Sequence, residues 1–243
     1  MKGLPMSSRF TIQTRKFLGF LDDLLITAGS LPDDTTFNGI HVSSSRGPWN
    51  EEPGDVDLLV GISANGEVVG NTWVPGIGEV EAGFWSTVNV KNIKYVFTPL
   101  AKKHDKEKAD DPHHITIVVK DGFVTIVEET ADEPTEFLFP VEENDFPLEG
   151  LKKWVTGETS RNTPKDKNSV EAEDGALTVW TPALGQVLAV AKRRKQFLRL
   201  YRGDHAAKIY LAQIGDTWRG AIKPHVPEVG TIDPEKPDSD VFL

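Results

Sequence analysis

The chain contains no cysteine. That single absence removes disulfides, iron–sulfur clusters, thiolate zinc sites and a cysteine nucleophile, and it fits a reducing compartment. Long apolar runs are missing too. A membrane helix requires roughly 18 such residues, and the longest run near the start, Phe17 to Ile26, is broken by Gly19, Asp22 and Asp23. It also lacks the basic, apolar, small-residue order of a signal peptide, so the expected location is the cytoplasm. Positive charge is in deficit: the formal net charge is −10 and the pI about 5.1. As a total this argues against a simple basic nucleic-acid binder, although one basic face can sit on an acidic body.

Signatures of catalysis are absent as well. There is no phosphate-binding loop or dinucleotide fingerprint. Ser43-Ser44-Ser45 does not lie in a nucleophile elbow. The adjacent His113 and His114 point to opposite faces if they lie on a strand, and so do not chelate one metal ion. His41, His205 and His225 have no carboxylate at a telling spacing. The acid pairs Asp22-Asp23, Glu51-Glu52 and Glu142-Glu143 read as solvated surface. No enzyme activity, metal or cofactor is implied.

What is present is a phrase said three times: a short strand, a helix, then hairpin-like strands. The 243 residues, 38% hydrophobic and 26% charged, allow one large or two ordinary domains with a real core. In the first copy Phe10–Ile12 is a strand and Thr14 a helix N-cap. Phe17, Leu18, Leu21, Leu24, Leu25 and Ala28 recur at helical spacing, and Gly29 is the stop. Strands follow at Asn38–Val42, Asp57–Ser63 and Glu67–Val74, the last two joined by Asn65-Gly66, a strong hairpin signal.

In the second copy Ser86–Val90 reads as a strand and Lys91–Lys103 as a helix with Val90, Ile93, Phe97 and Leu100 on one face. Pro99 implies a kink or an early end, and Lys102 to Asp111 a solvated loop. Strands His114–Val119, Phe123–Val127 and Glu136–Phe139 follow, with Asp121-Gly122 as a turn. The third copy runs from a strand at Ala176–Trp180 through the cap Thr181, Pro182 at the first helical position and a helix over Ala183–Arg193. Its inward residues are expected to be Leu184, Val187, Leu188 and Ala191. Strands Phe197–Tyr201, Ala207–Leu211 and Thr217–Ile222 complete it, with a turn at Gly215-Asp216. Residues 1–8 read as a disordered lead. The expected division is a domain over 9–150, a linker or degenerate half-repeat over 151–174, a second, partial domain over 175–226, and a flexible acidic tail over 227–243.

The order of these pieces resembles the DNA sliding clamps, the bacterial DNA polymerase III beta-clamp family and its phage relatives. The matching stretches are Phe10 to Leu18, Asp57 to Ser63 with Gly66 to Gly70, Val88 to Val96, Asp121 to Ile126 with Phe137 to Pro140, Asp145 to Pro147, and Trp218 to Pro224. The resemblance covers roughly residues 9–226. It implies an α+β fold of clamp-like repeats, with antiparallel sheets outside and helices on one face. It further implies a processivity factor that encircles or tracks duplex DNA without reading bases, partnered by a DNA polymerase or other replication proteins. Such rings close with twelve units, so three units per chain imply a tetramer, and four a trimer.

Lysines and arginines on the helices contact the phosphates of DNA in such clamps. The residues in those places here are Arg15 and Lys16; Lys91, Lys94, Lys102 and Lys103; and Lys192, Arg193, Arg194 and Lys195. By the same resemblance, Leu151, Trp154, Val155, Pro224 and Val226 line a pocket for a partner's short apolar peptide. The end of the tail, Val241, Phe242 and Leu243, itself looks like such a peptide. The rival expectation is a clamp-fold interaction protein that binds a host clamp or polymerase without encircling DNA.

Overall fold

The structure, a computed structural model, describes residues 8–29, 35–49, 53–107, 111–128, 134–156, 179–202 and 209–223. The first unit is β1 (Ser8–Gln13), α1 (Thr14–Thr27), β2 (Gly39–Pro48), β3 (Asp55–Ala64) and β4 (Val68–Glu79). The second is β5 (Gly83–Ser86), α2 (Thr87–Glu107), β6 (His114–Lys120), β7 (Phe123–Glu128) and β8 (Thr135–Pro140). After a short helix α3 (Leu148–Thr156), the third is α4 (Thr181–Arg194), β9 (Leu198–Arg202), β10 (Tyr210–Ile214) and β11 (Trp218–Ile222). Residues 1–7 of the expected lead, the linker beyond Thr156, the start of the third copy's first strand and the tail lie outside the described residues, while Ser8, also expected in the lead, opens β1.

The turns follow from residues that tolerate positive φ. Gly66 sits at φ 85°, and the Asn65 side-chain oxygen accepts hydrogen bonds from the backbone N–H groups of Glu67 and Val68 at 3.1 and 2.9 Å. At the β6–β7 turn Asp121 and Gly122 both have positive φ, 53° and 78°, as a two-residue hairpin with the right-handed twist requires.

All described strands join one antiparallel sheet in the order β5-β2-β3-β4-β1-β6-β7-β8, with β9-β10-β11 attached to β4. The first two units exchange their leading strands. β1 lies between its own β4 and β6 of the second unit, while β5 pairs with β2 of the first. A bridge between Phe84 and Glu142 brings the two ends of the eight-strand path together. The core beneath is built from α1 and α2: Phe17, Phe20, Leu21 and Leu24 meet Ile93, Phe97, Ile117 and Ile126. Trp85 stands edge-on to both Phe17 and Phe139.

The third unit attaches differently. β11 extends the sheet by pairing Trp218–Ile222 with Val68–Thr72 at the start of β4, and α4 packs over it through Val187, Val190, Ile214 and Trp218. The sheet then has two faces with different covers. Gly61, Ser63 and Gly70 face α1, whereas Ile62, Ala64, Val69 and Ala221 pack on Leu151 and Val155 of α3. So α1, α2 and α4 share one face, as expected of the fold, and α3 lies on the other.

Several local expectations are corrected. Thr14 begins α1 rather than capping it; Gln13 is the cap residue, with no side-chain bond, because the Thr14 hydroxyl is bonded elsewhere, to His113. Val88–Val90 belong to α2 rather than a strand, and α2 runs through Pro99 to Glu107, taking in the first part of the expected loop. The third helix starts at Thr181, capped by Trp180 with Pro182 just inside. Its buried residues are Ala183, Val187, Val190 and Ala191, and Leu188 is 48% exposed, because the face turned toward α1 and the sheet is rotated by one position from the one expected. The middle strand of the third unit begins at Tyr210, later than expected.

Candidate nucleic-acid interface

α1 lies between α2 and α4 and packs on both, so the cation-bearing segments named above come together on one face of the sheet. Their electrostatic states differ. α1 carries two acids that the sequence reads as solvated surface, but Asp23 is buried, and each holds a neighbouring helix. Asp22 pairs with Lys94 of α2. Asp23, 1% exposed, receives both arginines of α4. Arg193 Nε donates to Asp23 Oδ1 at 2.8 Å, and Arg194 donates to Oδ2 from Nε at 2.8 Å and from Nη2 at 2.6 Å. Arg194 also donates to the hydroxyls of Thr217 and Thr72 at 2.7 and 2.6 Å, and the Thr72 hydroxyl donates on to the Thr217 carbonyl at 2.9 Å. A buried carboxylate is costly unless paired and hydrogen-bonded, and here the pairing fastens the third unit to the first.

Arg15 pairs with Asp105 at the end of α2. The exposed Lys16, Lys91, Lys102, Lys103, Lys192 and Lys195 enter no ion pair among the described residues. Two cationic strips therefore flank a largely neutralised α1. The strip on α2 is the cleaner one: from Thr87 to His104 the helix carries Lys91, Lys94, Lys102 and Lys103 and no carboxylate, in a chain with 37 acids.

The other expected site divides. Leu151 and Val155 are buried against the sheet, with Trp154 partly buried beside them, on the face away from the cations. Pro224, Val226 and the tail motif Val241–Leu243 lie outside the described residues. Near α3 the His41 ring stacks on Phe146. Burial, and secondarily the Lys152 ammonium, lower its pKa below the ordinary 6.5.

One arrangement escaped the sequence. Thr14 Oγ1 and His113 Nδ1 are 2.7 Å apart, and His113 Nε2 and Glu128 Oε1 are also 2.7 Å apart. The order hydroxyl–imidazole–carboxylate is that of a nucleophilic triad. Thr14 is fully buried and His113 nearly so, so no substrate reaches the hydroxyl, and the chain of bonds ties α1 to the second unit's sheet. Thr14 and His113 are 99 residues apart in sequence, which left no spacing to read. Among the described residues no group of three potential metal ligands occurs, and no helix is long and apolar enough to cross a membrane.

No family model matches the sequence, and no curated protein does. Solved structures do. The chain is similar to the DNA polymerase III beta subunit of Thermotoga maritima, at 11% identity and a TM-score of 0.57 over 90% of this chain and 65% of that one. It is similar to the DNA polymerase sliding clamp of Pseudomonas aeruginosa, at 12% identity and 0.59 over 93% and 68%, and to that of Bacillus subtilis, at 12% and 0.55 over 93% and 66%. The chain thus spans about two thirds of the length of these clamps. With its exchanged leading strands, its continuous antiparallel sheet and its three helices side by side on one face, this chain has the fold of the DNA polymerase sliding clamps.

Proposed function

We propose that the protein is a non-enzymatic, clamp-like DNA-tracking factor that holds duplex DNA against the α1–α2–α4 face and tethers a polymerase or another replication protein to it in the cytoplasm. The observation that carries this reading is the acid-free, lysine-bearing length of α2 on the helical face of a clamp fold. Lysines projecting from a rigid helix neutralise phosphates without reading bases, which is what sliding requires. Copies of the chain join into a ring. Among the described residues β9 pairs only with β10 and β8 only with β7, the bridge from Phe84 to Glu142 lying just past the end of β8, so strand edges remain for an edge-to-edge contact between copies.

Retention on circular against linearised DNA tests the reading. The ring form stays on closed circles and runs off linear ends; a species that is monomeric at micromolar concentration and equally lost from both removes the ring. Replacing Lys91 and Lys102 by glutamate weakens DNA binding at least tenfold. Replacing each by alanine lowers the slope of log affinity against log salt by about 1. No change in either measurement overturns the DNA-facing assignment.

A second reading has its own support. Asp22, Asp23 and Asp105 already engage Lys94, Arg193, Arg194 and Arg15 and offset all but one of their charges, which suits a clamp-fold protein that binds a clamp or polymerase rather than DNA. In that case deletion of Val241–Leu243 abolishes capture of a purified clamp or polymerase while the lysine substitutions leave it intact.

A further inference from the structure

We infer that Tyr95 of α2 is a stacking platform for an unpaired nucleobase, so that the α2 face grips a single-stranded segment or a duplex end with an overhang more tightly than blunt duplex. The inference rests on the DNA-binding reading above and adds a ligand class to it. Tyr95 is 84% exposed, far more than packing would leave a large aromatic ring placed for stability. The helix buries Val90, Ile93, Phe97 and Ala101 and turns Val88, Lys91, Tyr95 and Lys102 the other way, at the three-, four- and seven-residue spacings that align side chains in one stripe. Val88 is 63% exposed and lies roughly 10 Å along the axis from Tyr95.

This stripe is an apolar and aromatic ridge bracketed by ammonium groups, with no carboxylate on the helix before Asp105. Charge complementarity selects a polyanion as the occupant. The ring then selects among polyanions: blunt duplex buries its base faces in its own stack and offers Tyr95 only sugar and phosphate, whereas a single strand offers a π-face at every nucleotide. Proteins that hold single strands combine these same two elements, a cationic track and exposed aromatic rings, with each base–ring stack contributing about 1–3 kcal/mol.

Fluorescence anisotropy with the full chain on three labelled probes provides the test: a blunt duplex, the same duplex with a single-stranded 5′ overhang, and the overhang strand alone. The intact protein binds the overhang probe more tightly than the blunt one. Tyr95→Ala loses about fivefold or more on the overhang and single-strand probes and changes blunt-duplex binding by less than twofold. Tyr95→Phe keeps the ring and retains the preference. Because the side chain is exposed, thermal melting of both variants matches the parent, which separates the effect from misfolding. An unchanged overhang affinity in Tyr95→Ala overturns the inference. So does an equal loss on all three probes, or a Tyr95→Phe loss as large as the alanine one, since that would assign the contact to the hydroxyl. Lys91→Ala in parallel distinguishes the two levels: if it leaves every probe unaffected the DNA-binding reading itself fails, whereas its effect without one from Tyr95 removes only the stacking platform.

Discussion

The first two units and the third share a helix followed by three strands but are completed in different ways. Units one and two finish each other: each lends its leading strand to the other's sheet, and α1 and α2 share one core with Trp85 at its centre. The third has no such mate among the described residues. It leans on the first through the β11–β4 ladder and through Arg193 and Arg194 on Asp23, and it leaves Trp180, Leu188, Phe197, Leu200 and Tyr201 exposed. The paired half is thus held mainly by apolar burial, whereas the third unit adds a strand ladder and one buried charge to an apolar cluster that it shares with Val68 and Ile26 of the first. Removing one partner of a buried ion pair leaves the other charge uncompensated, so the cost falls on the groups that it held together.

Asp23→Ala is the sharpest way to break that contrast. It strands two arginines, one of them only 12% exposed, and a loss of about 3–5 kcal/mol in urea unfolding is expected. Amide exchange should speed most in α4 and β9–β11 and least in α1 and α2; uniform loosening would mean the latch is no more than one contact in a common core. Glycines give the next test. A Cβ on Gly61 would overlap Leu24 Cδ1 and Phe20 Cζ, whereas one on Gly185 of α4 meets nothing within 4 Å. Gly61→Ala should therefore destabilise by about 1–3 kcal/mol through overpacking, and Gly185→Ala should stabilise by about 0.5–1 kcal/mol. The same sign for both would show that the third unit is packed as tightly as the first.

The smallest effect concerns the α3 face. The folded state depresses the pKa of His41, so just below the ordinary value of 6.5 the unfolded chain binds the proton that the native ring does not. That contribution to stability is complete above 6.5 and is lost as pH falls toward the depressed folded value. His41→Gln should show a smaller drop in melting temperature than the parent on going from neutral to mildly acidic pH. An equal drop assigns the acid sensitivity to other groups.

What the sequence made legible was local. Asn65-Gly66 and Asp121-Gly122 named their turns because positive φ leaves few residue choices. The apolar spacing of Phe17, Leu21 and Leu24 named α1, since a helix facing one core repeats every 3.6 residues. Misreadings came where tertiary context prevailed. Val88–Val90 are β-branched at two of three positions and read as strand, yet a continuous helix buries Val90 beside Ile93. Pro99 does not end α2, as packing of Phe97 and Ala101 on either side of it outweighs the lost backbone bond. The cations were legible as groups on helices, but their pairing was not: Asp23 and Arg194 are 171 residues apart, and Lys94 meets Asp22 only because α1 and α2 pack side by side. Tyr95 gave no signal in composition and becomes visible only through its exposure.

One further consequence follows from β4. Its first half is flanked by β3 on one side and on the other by β11, so those backbone groups of Val68–Thr72 that point away from β3 find their partners at Trp218–Ile222. Thr72 and Thr217, which meet at this seam, are 145 residues apart. At typical synthesis rates of about 5–20 residues per second, roughly 7–30 s pass between the appearance of one side of the ladder and the other. Throughout that interval the nascent chain presents an unpaired valine-bearing strand edge, the kind of surface that templates association with another chain. The seam is thus a kinetic vulnerability as well as a join, and the moment of greatest aggregation risk for this ladder falls before β11 has left the ribosome.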